Sequence, residues 1–229
     1  MIRSRALGVT ALGVMLAGSA VQGQTVSHYR NFRLGGDIAS VATLTGVGAS
    51  NARTVYARPA ILQELEWRRP YLATGGSLAD PVQHIAFSFY NDQLFRLVVD
   101  YDRDRTEGMT DADMIEAIST VYGTPVKPMV SPARAPLATI DEESGTRVAG
   151  WGNAEYSAVL YRSSYASGFR MIVTSVQLNG LARTAQAEAR RLDERDAPQR
   201  ELARQKQEAD EARASKDKAR LANKATFTP

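Results

Sequence analysis

The chain has 229 residues, with 28 Lys and Arg against 25 Asp and Glu, two histidines and no cysteine. The missing thiols exclude disulfides, thiolate metal sites, a cysteine nucleophile and a lipid-anchoring cysteine. Setting aside Arg3, Arg5 and the mixed-charge tail leaves a slightly acidic middle, unlike the clustered basic face of a nucleic-acid binder.

The amino terminus reads as a targeting segment. Arg3 and Arg5 precede an apolar run from Ala6 to Ala20, and small residues then lead into Val21-Gln22-Gly23. A charged start, an apolar core and a small-residue exit are the layout of a secretory signal peptide. Cleavage is expected after Gly23. The apolar run is shorter than the roughly 20 residues a spanning helix needs, so the expected product is a periplasmic or secreted protein, soluble after signal removal.

A first helix is predicted from Asp37 to about Leu44, with Ile38, Val41 and Leu44 on one face and Gly46 as its stop. A strand follows at Gln63–Trp67. The clearest pair is His84 to Tyr101, where Ile85, Phe87 and Phe89 alternate with polar or small residues. Beyond the Asn91-Asp92 turn, Phe95, Leu97 and Val99 alternate with Arg96, Val98 and Asp100. Period-2 alternation across a polar turn predicts a half-buried antiparallel hairpin, with Phe95 on the core face beside Leu97 and Val99.

A second helix is predicted to start at Thr110-Asp111-Ala112-Asp113, a capping pattern with acidic residues at the positive end of the helix dipole. Met114, Ile115 and Ile118 supply its apolar stripe and Gly123 ends it. Residues 124–146 hold four prolines and read as a long loop. Another hairpin fits Tyr156–Tyr161 and Phe169–Ser175. Phe95-Arg96-Leu97-Val98-Val99 matches Phe169-Arg170-Met171-Ile172-Val173 at an offset of 74, which also carries Asp37 to Asp111. A tandem helix-plus-sheet repeat is therefore one expectation, with chance similarity between amphipathic elements as the other.

From Leu181 the chain turns to Ala, Arg, Glu, Lys and Gln, strong helix formers. Its large aliphatics, Leu181, Leu192, Leu202 and Leu221, make no heptad seam. A partly frayed, charged helix is expected rather than a stable coiled coil, kinked or broken at Pro198. The units are thus 1–23 signal peptide, 24–123 a first helix-plus-sheet unit with the second helix, 124–146 Pro-rich loop, 147–180 a second strand set, and 181–229 a charged helical tail. The fold class is α+β: an antiparallel sheet with short helices on one face and a long charged C-terminal helix.

Catalytic signals are sparse. His28 lies near the mature amino terminus and is expected to be mobile. His84 sits on an outer strand face, and no G-x-S-x-G elbow accompanies it. Gly35-Gly36, Gly46-Val47-Gly48 and Gly75-Gly76 lack any phosphate-loop context and read as turns. Asp100, Asp102, Asp104 and Asp111 partly imitate a calcium loop. Arg105 stands where that loop needs glycine, and the preceding element reads as a strand. The expected reading is a solvated strand end running into a helix cap, with a weak metal site as the alternative. No cofactor is expected.

The sheet face opposite the helices should display Glu64, Glu66, His84, Ser88, Tyr90, Arg96, Tyr161 and Arg170. Arg and Tyr on a rigid sheet suit an interface, although a solvated face with cross-strand Glu–Arg pairs would look the same. An exported tandem of helix-plus-antiparallel-sheet units, carried here by Asp37–Leu44, Asp111–Ile118 and the Phe95-Arg96 and Phe169-Arg170 strands, resembles the β-lactamase-inhibitor protein and BamE-type outer-membrane assembly lipoproteins. Many uncharacterised exported bacterial proteins look similar. The resemblance implies a protein-binding surface and no catalysis, and it supplies no transferable residue; this chain lacks the inhibitor's disulfides and the lipoproteins' anchor cysteine. The leading expectation is a non-catalytic envelope or secreted interaction module, its partner another envelope protein and not nucleic acid. The alternatives are a small-ligand or calcium-binding protein using segment 100–113, and an enzyme of unknown reaction.

Overall fold

A computed structural model describes residues 26–70, 80–126, 145–162 and 168–226. The signal segment and most of the Pro-rich stretch lie outside the described residues, as do Gly75-Gly76. Among the described residues the chain is α+β. Seven antiparallel strands form the main sheet in the order β3-β4-β5-β6-β9-β8-β7, and β1 (His28–Tyr29) with β2 (Phe32–Arg33) forms a small ribbon. The main strands are β3 (Arg53–Tyr56), β4 (Leu62–Arg68), β5 (Val82–Tyr90), β6 (Gln93–Tyr101), β7 (Thr146–Gly152), β8 (Tyr156–Arg162) and β9 (Phe169–Ser175). The helices are α1 (Ile38–Thr45), α2 (Asp111–Tyr122) and α3 (Val176–Thr226). No helix among the described residues is long and apolar enough to cross a membrane.

Local chemistry accounts for the helix ends. Asp37 caps α1 by accepting from the Ser40 backbone N at 2.6 Å, and Gly46 ends it in the left-handed conformation. Thr110 and Asp113 form a reciprocal capping box on α2. One sheet face carries the main core. Leu65, Ile85, Phe87, Phe89, Leu97, Val99, Met171 and Val173 meet Ile38 and Val41 of α1, Met114 and Ile118 of α2, and the β1–β2 ribbon. Phe32 packs edge-on to Phe87 with ring centroids 4.8 Å apart. His28 is therefore held in β1, contrary to the mobility expected of it: the Tyr122 hydroxyl donates to its carbonyl at 2.9 Å.

The β5–β6 hairpin departs from simple alternation. Asn91 and Asp92 both have positive φ, 46° and 65°, as a two-residue turn matched to strand twist requires. That turn pairs Phe89 with Leu94, and the register then shifts by one so that Ser88 pairs with Arg96. Leu94 consequently joins Phe89 in the core, and Leu97 and Val99 join Phe87 and Ile85. Phe95 occupies the shift and packs in a separate cluster with Leu62 and Ala182. The expectation that Phe95 faces the core is corrected by this irregularity: one extra residue moves one side chain to the opposite face.

The sheet centre is pseudosymmetric. β6 and β9 pair Arg96 with Thr174, Val98 with Ile172 and Asp100 with Arg170. Positions related by the offset of 74 are therefore exchanged by a local two-fold passing through the Val98–Ile172 pair. The meanders β4-β5-β6 and β7-β8-β9 lie on either side of it, each following one helix. The helix correspondence differs by one residue from the expected one, because the equivalent caps are Asp37 and Thr110.

The tail is the largest correction. α3 begins at Val176 rather than Leu181, directly after β9, and it continues through Pro198 without ending. Ala182, Ala185 and Ala189 are buried, and their spacing of three and four makes a one-sided stripe. With this stripe the helix packs against β5, β6 and β9 on the face opposite α1 and α2. Arg58, just beyond β3, reaches Asp196 at 2.8 Å. From Ala197 to Ala225 every residue is exposed. At 1.5 Å per residue this undocked part extends roughly 45 Å.

Candidate functional site

The candidate site is the second face of the main sheet. Glu64, Glu66, His84, Ser88, Tyr90, Arg96, Tyr161 and Arg170 do share that face, since Glu64 pairs with Ser88, Ser88 with Arg96, and Tyr161 with Arg170. It is not the continuous open surface expected from the sequence. Docking of α3 divides it in two.

The open half is a grid of charges on β4, β5, β6 and β9. Arg170 Nε donates to Asp100 Oδ1 at 2.5 Å, and His84 Nδ1 lies 3.1 Å from Asp100 Oδ2. His84 Nε2 is 3.5 Å from Glu66 Oε2, and Glu66 itself is well exposed. Burial alone would raise the pKa of Asp100. The hydrogen bonds from His84 and Arg170 together outweigh it and hold the carboxyl below the ordinary range. A rigid sheet thus presents alternating charge in the line Glu66, His84, Asp100, Arg170. Tyr161 closes the row and is buried.

The covered half is a cleft between α3 and the sheet, of about 210 Å³. Its walls are mainly apolar, with Ala86, Phe95 and Val98 on the sheet and Ala182 and Ala187 on the helix. Arg96 lines it and is only 5% exposed. Arg183 and Arg190 approach from the helix, and Glu64 is the lining carboxylate. Arg53 holds that carboxylate at 2.6 Å.

The acidic segment behaves differently from a cation loop. Asp100 belongs to the charge grid. Asp102 is bound by Arg69 and accepts from the Asp104 backbone N at 2.9 Å. Asp111 takes two bonds from Arg162, at 2.9 and 2.5 Å, and Asp104 is exposed. Asp100, Asp102, Asp104 and Asp111, the weak metal candidates, are not gathered into one cluster here. Among the described residues no three His, Asp, Glu or Cys side chains are placed to hold a metal ion. The physical reason is that arginines and backbone amides draw these carboxylates apart.

A second cleft, of about 490 Å³, opens on the α2 side and is lined by Tyr29, Tyr101, Tyr122, Met109, Met114 and Met171. Burial raises the pKa of all three tyrosines, so these hydroxyls stay protonated. Tyr101 donates to the Met171 sulfur at 3.5 Å.

Sequence reasoning placed the sheet-face residues together and missed the helix that covers them. The overlooked signal was the spacing of Ala182, Ala185 and Ala189; a search for large aliphatics passes over a stripe of alanines. It also missed the His84–Asp100 contact, which depends on the register shift at Phe95. No protein-family model matches the chain, and no curated protein or solved structure does.

Proposed function

We propose that this chain is an exported, non-catalytic protein-binding module whose contact surface is the open charged half of the sheet. The observation that carries the reading is the fixed row Glu66, His84, Asp100 and Arg170 on central strands. Asp100 is tied on both oxygens, to Arg170 and to His84, so little side-chain entropy remains to be lost on association. Charges held in this way favour specificity and fast encounter over raw affinity. The amino-terminal layout supports export, which would place the partner among envelope or extracellular proteins. The undocked part of α3 supports a spacer role, because a solvated helix of this length holds the sheet domain away from whatever its end contacts.

Immobilised mature protein tests the reading against an envelope extract. The wild type should retain at least one protein in stoichiometric amount. The double charge reversal Glu66→Lys with Arg170→Glu should release it, whereas Arg213→Glu on the far part of α3 should not. Capture that is insensitive to the double reversal refutes the proposed face. Mass measurement of the secreted or periplasmic product should show residues 1–23 removed; an intact amino terminus refutes export by this signal.

A further inference from the structure

The undocked part of α3 carries a charge pattern that the sheet-face reading does not use. Over residues 212–226, Arg213, Lys216, Lys218, Arg220 and Lys224 stand against Asp217 alone. Residues 197–211 hold Arg200, Arg204 and Lys206 against Glu201, Glu208, Asp210 and Glu211. The positive excess is therefore confined to the distal half. The helix dipole favours a cation in the last turn, which accounts for Lys224. That effect fades beyond one turn, so Arg213, Lys216 and Arg220 need another reason.

The pattern is also one-sided. Lys206, Arg213, Lys216, Arg220 and Lys224 are spaced seven, three, four and four, and all belong to α3. At about 3.6 residues per turn this spacing lays them in one stripe, roughly 27 Å long. Glu201, Glu208 and Glu211 lie away from the stripe, as does Lys218. Asp210 and Asp217 border it and meet Arg213 and Arg220 at 3.9 and 3.7 Å. Those two arginines are 81% and 72% exposed. Ion pairs so fully in water contribute little, and the stripe keeps its positive excess toward anything laid along it.

The shape of the stripe selects its partner. A straight row of cations on an exposed helix offers no pocket, and Leu202 and Leu221 are the exposed large aliphatics on this part of α3. A protein partner would want anchors buried at the centre of the contact. A plane of lipid phosphates wants none: it presents negative charge wherever the row lies down. Two leucines are too few to carry the helix into the acyl region, so contact stays at the headgroups. We propose that the basic stripe of α3, residues 206–224, docks on the surface of a bilayer containing anionic phospholipid. The inference rests on the reading of the undocked helix as a spacer and supplies what its end contacts. The sheet domain is then tethered beside a membrane with its charged row free for a protein partner.

Co-sedimentation of the mature protein with phospholipid vesicles tests this. Vesicles of mixed phosphatidylglycerol and phosphatidylcholine should take it up at low salt, and pure phosphatidylcholine should not. Uptake should fall steeply as salt rises through about 0.15 M, where charges are screened beyond about 8 Å. Arg220→Gln should weaken partitioning about fivefold, the worth of one cation at the surface. Lys218→Gln removes the same charge off the stripe and should change it less than about twofold. Lys216→Gln, Arg220→Gln and Lys224→Gln together should abolish uptake; glutamine keeps helix propensity, and far-ultraviolet circular dichroism verifies that α3 persists. Equal uptake by neutral vesicles, no uptake by anionic vesicles, or equal losses in Lys218→Gln and Arg220→Gln would each overturn the proposal. Retention on dextran sulfate without vesicle uptake would overturn it in favour of a soluble polyanion. The double reversal Glu66→Lys with Arg170→Glu should leave vesicle uptake unchanged, so failure here is distinguishable from failure of the protein-binding reading.

Discussion

Phe95→Ala isolates the consequence of the register shift in β6. Phe95 is 9% exposed and packs with Leu62 and Ala182 under α3. Truncating a buried Phe ordinarily costs about 3–5 kcal/mol, the sum of lost transfer energy and the cavity left behind. Phe95 already borders the cleft under α3, so its removal enlarges a space that water reaches instead of creating a sealed void. The cavity part is therefore small, and the cost should fall to about 2–3 kcal/mol, near the transfer part alone. Phe87, fully buried against Phe32, should cost the full 3–5 kcal/mol on the same substitution. Urea unfolding followed by circular dichroism measures both. Hydrogen exchange then locates the damage. Amides of residues 178–196 in Phe95→Ala should exchange nearly as fast as those of the undocked part of α3, while β5, β6 and β9 keep protection limited only by global stability. A cost equal to that of Phe87→Ala, with unchanged protection in α3, would refute the assignment of Phe95 to the helix-covered face.

Three further outcomes are expected. Gly152 has φ +127° and a Cβ there would overlap the Tyr156 carbonyl oxygen, so Gly152→Ala should lower stability by more than about 2 kcal/mol in urea titration. Thr110→Ala removes half of the α2 capping box and should cost about 1 kcal/mol by the same measurement. Asp100→Asn should cost about 1 kcal/mol at neutral pH, since the ionised carboxylate receives the His84 and Arg170 bonds. The folded state holds the Asp100 pKa below its unfolded value, so the contribution is fully present above about pH 4 and is lost as pH falls through the depressed value. The stability difference between wild type and Asp100→Asn should accordingly shrink in acid, with Glu66, His84 and Arg170 as the charged or titratable neighbours. A difference that grows as pH falls would contradict the assigned bonds.

Local patterns were legible in the sequence because they depend on neighbours a few residues away. The helix start at Asp37, the cap at Thr110, the stop at Gly46, the Asn91-Asp92 turn and the alternation in β4, β5, β8 and β9 all belong to this class. The offset of 74 was legible too, as the recurrence of one local pattern, and the β6–β9 pairing places its two copies about a two-fold through Val98 and Ile172. The strand β7 and the short β1–β2 ribbon were not legible, since they carry too few alternating residues to stand out from loop composition.

Sequence alone therefore determined the antiparallel α+β character, the two short helices and the set of polar side chains that would share one sheet face. Tertiary structure decided what that face became. A single-residue shift in β6 turned Phe95 outward, where Ala182 receives it, and the alanine stripe of α3 then settled over half the polar surface. Both are long-range packing outcomes. Phe95 and Ala182 stand 87 positions apart, and no local propensity of either segment specifies that they meet.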